Sequence, residues 1–224
     1  MKKGAIKNII ISIISLFVFI STLVITLQFV FDKQEGIPDS ASANGVLFFK
    51  YFTSDSNVLV ALICAIILVF AIKNIVQKND KVPKWLIILF TIATTGTTVT
   101  FLTTAFFLGP TTVINGNNYF IMFEGRLFFL HFLTPILAII LNVLFLNYHR
   151  LNWKHALLCV STILVYSFVY VPCVLSDTWI DFYGFTFGGQ MWVIPLALII
   201  MYGLAIGIGF GLMVLHNLRV KKVN

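Results

Sequence analysis

Leu47–Ile72 reads LFFKYFTSDSNVLVALICAIILVFAI: a polar cluster, Lys50 to Asn57, inside a segment that is otherwise apolar. As a helix rising ~1.5 Å per residue, it is long enough to cross the ~30 Å hydrocarbon layer of a bilayer. Five further segments read the same way: Ile9–Phe31, Trp85–Leu108, Leu127–Leu146, Ala156–Leu175 and Met191–Leu215. The 224-residue chain is 59% hydrophobic and 10% charged, with a mean hydropathy of +1.00, which excludes an ordinary soluble domain. The sequence predicts an all-α polytopic membrane protein with six transmembrane helices, residues 1–224 forming a single domain. Any polar side chain within a span is then costly, and so informative.

The charges set an expected orientation. Lys2, Lys3, Lys7, the loop lysines 73, 78, 81 and 84, Arg150, Lys154, Arg219, Lys221 and Lys222 fall on one side, 12 of the 15 basic residues. Seven of the eight acids fall on the other, with Lys33, Lys50 and Arg126. Cytoplasmic loops are enriched in Lys and Arg, so both termini are expected in the cytoplasm of a cell-membrane protein. The net charge of +7 is thus a membrane-surface feature, with no basic stripe of the kind nucleic acid requires. Lys2, Lys3 and Lys7 ahead of an apolar run resemble a signal peptide. The run of about 23 residues exceeds a cleaved signal's roughly 7–15, and Ala41–Ser42–Ala43 lies well beyond it, so it reads as a retained first helix.

Three cysteines, Cys64, Cys159 and Cys173, lie within spans, which argues against a disulfide framework. No zinc-type Cys/His spacing, P-loop or G-x-S-x-G elbow is present, and no metal or cofactor is expected.

Two clusters stand out. In the second span Lys50, Thr53, Ser56, Asn57 and Cys64 share one helical face, unless Ser54, Asp55 or Ser56 caps a helix that starts later. In the fourth, His131 is the only histidine inside a span; Thr134 and Asn142 share its face and Pro135 interrupts the helix below it. Counted from the basic side, Ser56 and Asn57 are level with His131 and Thr53 is about one turn, ~6 Å, nearer the opposite surface. Contact between His131 and at least one of these three is therefore expected. Gln28, Thr100, Thr103, Thr104 and Tyr170 reach the same level, although the threonine-rich run Ala93–Phe106 is expected to bond mostly to its own backbone. Gly203, Gly207 and Gly211 form a doubled G-x-x-x-G for helix packing, within the monomer or between copies in a homo-oligomer. The aromatic loop Ser176–Gln190 suits the interface or the mouth of a pocket.

The segment KYFTSDSN, then HFLTP in the fourth span of a six-helix chain, resembles the androgen-induced / FAR-17a-like membrane protein family, in a bacterial relative. A lysine-, isoleucine- and asparagine-rich composition points the same way. The resemblance implies an intramembrane hydrolase of fatty-acyl esters, with Thr53 as nucleophile and His131 as base. Here His131 precedes Pro135 by four positions, against five in an animal pattern of the family. On chemical grounds a hydroxyl needs a neighbouring base, Ser56 is the alternative nucleophile, and Asn57, Tyr170 or a backbone N–H could hold an oxyanion. Asp55 and Asp177 lie on the correct side to orient the base. The partners expected are membrane lipids or lipid esters, handled by hydrolysis or acyl transfer. Two other classes stay open, a small transporter and a non-catalytic lipid-binding protein. Against transport, no Asp, Glu, Lys or Arg sits near the middle of a span.

Overall fold

The computed structural model describes residues 3–31, 45–186 and 188–220. The Ala41–Ser42–Ala43 triplet, Lys33, Asn44, Phe187 and the acids Asp32, Glu35 and Asp39 lie outside the described residues. Six helices are long and apolar enough to span a membrane: α1 (Lys3–Phe31), α2 (Phe52–Val76), α3 (Lys84–Ile114), α4 (Gly125–Phe145), α5 (Trp153–Leu175) and α6 (Met191–Arg219). No strand occurs among the described residues. The start of α1, the 77–83 loop, the 146–152 loop and the end of α6 meet at one end of the bundle, here the terminal end. Asn8 Nδ2 donates to Asp80, Tyr148 Oη donates to Asp80, and Asn147 Nδ2 donates to the Arg219 carbonyl. The other end is the distal end.

Helix α3 is the central one. Two-thirds (67%) of its most apolar window is buried, against 17% for α6. Several of its threonines bond to their own backbone, as expected: Thr91, Thr95 and Thr98 donate to the carbonyls of Ile87, Thr91 and Thr94 at 2.7–2.9 Å. Close approach to α3 comes at Gly96, where an added Cβ would lie 3.2 Å from Ser56 Cβ. On α6 it comes at Gly209, where a Cβ would meet the Ala156 carbonyl at 2.7 Å. Gly203, Gly207 and Gly211, the expected packing face, are exposed, with nothing within 4 Å of an added Cβ. They pack nothing within the monomer.

Three π turns shape the bundle. A π turn spans i to i+5, and the extra residue leaves one carbonyl without a helical donor. In α3, residues Thr104–Leu108 form such a turn and Gly109 N–H donates to Thr104 O. Pro110 has no N–H, so Ala105 O is left over, and Tyr119 Oη donates to it at 2.8 Å. The wide turn carries α3 past Pro110 to Ile114, beyond the Leu108 boundary expected from the sequence. In α4, Phe129–Leu133 repeat the pattern ahead of Pro135. Thr134 N–H donates to Phe129 O, and Leu130 O receives Asn57 Nδ2 from α2 at 3.0 Å. At the end of α4, Leu146 N–H donates to Leu141 O, and Asn142 O lies 3.0 Å from Nδ1 of buried His216 on α6. The expected kink at Pro135 is thus a π turn that contains His131.

The entry to α2 also differs from expectation. Gly45–Lys50 form a short 3-10 turn, Tyr51 is extended, and the α-helix begins at Phe52. Lys50 therefore does not continue the Thr53–Ser56–Asn57 face. No side chain of α2 caps its own start. Instead Tyr183 Oη, from the segment after α5, accepts the Phe52 N–H at 3.0 Å.

Candidate functional site

A cavity of about 450 Å³ lies in the distal half between α3, α5 and α6, with the first turn of α2 at one edge. Its walls are apolar, including Val99, Phe107, Ile163, Met201 and Leu204. Phe106 and Ile200, also on the wall, are 77% and 59% exposed on the bundle's outer surface, so the cavity opens sideways toward lipid. Hydroxyls collect where α2 and α3 meet it: Thr53, Thr100, Thr103 and Thr104. The Thr104 hydroxyl is fully buried within the wall, sealed from the cavity space, and has no hydrogen-bond partner.

Tyr183, Gly184 and Phe185 roof the cavity. A knot around Asp181 holds the roof. Oδ1 accepts from Tyr170 Oη (2.7 Å) and Phe185 N–H (2.9 Å), and Oδ2 accepts from the N–H and the hydroxyl of Thr186 (both 2.6 Å). Burial alone would raise the Asp181 pKa, but these hydrogen bonds to its charged form outweigh it and the pKa is lowered. Tyr170 Oη also accepts Tyr183 N–H at 3.1 Å; the Tyr166 and Tyr170 rings stack, and Phe182 meets Tyr170 and Tyr183 edge to face. Tyr183 reaches inward to the start of α2, where the Thr53 side chain lies beside its phenol; burial pushes this phenol up to about 12. The aromatic loop thus covers a pocket mouth. Glycine at 184, with φ +68°, supplies the left-handed turn between the two roof aromatics.

Of the candidate catalytic residues, only Thr53 lines this cavity, with Thr100, Thr103 and Thr104 of the same expected level. Ser56 turns toward α3, donating to Thr53 O (3.2 Å) and sharing a hydrogen bond with the Thr100 hydroxyl (3.1 Å). Asn57 uses both amide hydrogens, on Thr53 O (2.7 Å) and Leu130 O (3.0 Å), and keeps neither for an oxyanion. Tyr170 is committed to the roof. Asp55 sits half-buried in the first turn of α2, where the helix dipole favours an acid. Asp177 is exposed, with φ +54°, in the turn that ends α5. Gln28 is exposed on α1.

His131 lies apart from the cavity lining. Its Nδ1 is 2.6 Å from the carbonyl of Met122, in a short 3-10 turn at Tyr119–Phe123. A carbonyl only accepts, so Nδ1 carries the hydrogen, and the neutral ring presents its lone pair at Nε2. No hydrogen bond joins the ring to Thr53, Ser56 or Asn57. The α2–α4 link is one residue away, between Asn57 and the carbonyl of Leu130. Sequence reasoning placed these groups at one level; the partner is backbone where a side chain was expected. It missed Tyr183 and Asp181, whose one sequence signal is an acid three residues before a glycine within an aromatic loop. Among the described residues, no three His, Cys, Asp or Glu side chains gather to hold a metal. No protein-family model, curated protein or solved structure matches the chain, and the family resemblance rests on the two short motifs alone.

Proposed function

We propose that this protein holds the hydrocarbon chain of a membrane lipid in its distal cavity and sets that lipid's polar linkage beside Thr53. The observation that carries this reading is the apolar cavity itself, open to the bilayer at Phe106 and Ile200 and rimmed by hydroxyls under a tied roof. A chain that leaves lipid for an apolar pocket gains little hydrophobic energy, because the bilayer is as apolar as leucine. Selectivity then falls to the rim, where Thr53, Thr103 and the Tyr183 phenol can meet ester or headgroup oxygens. The terminal end faces the cytoplasm in this reading, from the 12-to-3 distribution of Lys and Arg, and the cavity serves the outer leaflet.

A second reading, hydrolysis or transfer of the acyl group, is favoured by the state of His131. With Nδ1–H held by Met122 O, Nε2 is free to take a proton. Thr53 Oγ1 would attack the ester carbonyl carbon and give its proton to Nε2, which would pass it to the departing alkoxide; water or an acceptor alcohol would then release the acyl group. The ring must swing from its place beneath the 3-10 turn to reach Thr53.

The test compares lipids that co-purify with wild type and with Leu204→Trp, which fills the cavity. A lipid carried by wild type and lost from the variant supports binding; identical lipid content overturns it. Fluorophosphonate labelling decides the second reading. Labelling that survives Thr53→Ser and disappears in Thr53→Ala and His131→Ala supports catalysis, whereas absence of labelling in wild type leaves a lipid-binding protein.

A further inference from the structure

The terminal end carries a second cavity, unconnected with the reading above. It is a crevice of about 540 Å³ between the last turns of α2, the 77–83 loop and residues Tyr148 and His149. We propose that it binds the phosphodiester group of an anionic phospholipid.

The crevice has fixed walls. Buried Asn74 donates to the Lys81 carbonyl at 3.1 Å and accepts nothing in exchange from that lysine's side chain. Its own carbonyl accepts Asn79 N–H at 3.0 Å, closing the loop on α2. His149 Nε2 lies 2.9 Å from the Val82 carbonyl, which ties the 146–152 loop to the same strand of backbone. Tyr148 Oη donates to Asp80 at 2.8 Å; burial and the Asp80 carboxylate both push this phenol's pKa up, so it stays a donor. Lys78 takes φ +52°, an uncommon conformation for a non-glycine residue, at the turn that ends α2.

Its charges suit a monoanion. Lys73, from the last turn of α2, and Lys81, from the loop, bring their stems to the crevice, and neither ammonium has a hydrogen-bond or ion-pair partner among the described residues. The one carboxylate on the wall, Asp80, already accepts from Tyr148 and from Asn8 Nδ2 at 3.4 Å. Lys7 adds positive charge behind Tyr148, its Nζ 3.5 Å from the ring centroid. Two lysines against one acid leave the lining with one net positive charge, which matches a phosphodiester. Gln77 and Asn79 can bond the remaining oxygens, and Phe70 and Val82 give an apolar side toward the hydrocarbon boundary. A soluble phosphate would gain nothing from that side; a glycerophospholipid would.

The experiment uses the full chain in detergent, titrated with short-chain phosphatidylglycerol, short-chain phosphatidylcholine or inorganic phosphate, with the thermal unfolding midpoint as readout. A lysine beside an anionic surface is worth about fivefold in affinity, so Lys73→Gln/Lys81→Gln should bind phosphatidylglycerol about 25-fold more weakly. Lys84→Gln/Lys154→Gln removes the same charge from the same end but outside the crevice, and should weaken binding less than about twofold if the site is local. Equal losses in the two variants would assign the effect to diffuse surface charge and overturn the site. Equal stabilisation by phosphatidylcholine would remove the anion requirement. Inorganic phosphate acting at the same concentrations as phosphatidylglycerol would make it a soluble-anion site and overturn the lipid assignment.

Discussion

Replacing Asn57 with leucine tests whether this fully buried asparagine serves the backbone or the chemistry. The side chain donates to two carbonyls, and the two losses differ. Thr53 O keeps a donor in Ser56 Oγ at 3.2 Å. Leu130 O loses its donor outright, since Thr134 N–H is turned to Phe129 O and Pro135 has none. An unsatisfied buried carbonyl costs roughly 1–3 kcal/mol, and interhelical hydrogen bonds measured in membranes average ~0.6 and reach ~1.7 kcal/mol. The asparagine's own Oδ1 is buried without a partner, and leucine removes that penalty. Asn57→Leu should therefore destabilise the bundle by about 1 kcal/mol.

The structure makes a sharper claim about Pro135. Pro135→Ala returns an N–H that can close on Leu130 O, so Asn57 becomes redundant there. In the Pro135→Ala background, Asn57→Leu should cost close to nothing, a coupling of about 1 kcal/mol between residues on different helices. Helix content followed by circular dichroism through SDS titration in mixed micelles would give the four free energies. Additivity within ~0.3–0.5 kcal/mol would refute the argument that Asn57 stands in for the missing proline donor.

Three other outcomes follow from the geometry. Gly209→Leu should destabilise strongly, because even its Cβ meets the Ala156 carbonyl at 2.7 Å, whereas Gly207→Leu should leave the monomer's thermal midpoint unchanged; a fall in self-association on Gly207→Leu, by crosslinking, would assign that exposed face to contacts between copies. Asp181 has a lowered pKa, so its stabilisation of the roof is complete above the unfolded carboxylate value of ~3.9 and disappears as pH falls through the folded one. Trp179 fluorescence should hold from pH 7 to about 4 and change below, and Asp181→Asn should abolish the transition; a midpoint near pH 6 would point to another group. Single cysteines at Gly116 and Asp181 should react with an impermeant reagent from outside the cell, and those at Lys81 and Asn152 only after permeabilisation; labelling of position 81 in intact cells would reverse the orientation.

Much of the fold was legible because a bilayer imposes one strong rule, that a span be a helix of about 20 apolar residues. Span ends were less so. The third span, read to Leu108, runs on to Ile114, because a π turn accommodates Pro110 and Tyr119 serves the carbonyl it strands. Nothing in residue spacing announces such a turn. The glycine motif left its partner open, within the monomer or between copies, for a different reason. A helix apolar on all sides has no hydrophobic face to mark its interior, since lipid and core look alike. Spacing alone could not choose Gly209, packed on Ala156 and Cys159, over the exposed Gly203, Gly207 and Gly211.

The candidate site was half legible for a related reason. The premise that an intramembrane polar residue is functional assumes that the backbone has no use for it. Here the three π turns strand three carbonyls, and Tyr119, Asn57 and His216 serve them. Ser56 pairs with Thr100, and Tyr170 with Asp181 and the Tyr183 backbone. Asn57, Ser56 and Tyr170 looked like candidates because they were polar in hydrocarbon, and each is already occupied. Thr53, at the cavity edge, lies against the Tyr183 phenol, and Nε2 of His131 keeps its lone pair. A lipid chain can fill the apolar cavity, with Thr53 and Thr103 at its edge, without any residue moving. That apolar volume, open as it stands, is why the lipid reading stands ahead of the catalytic one, which must first move His131.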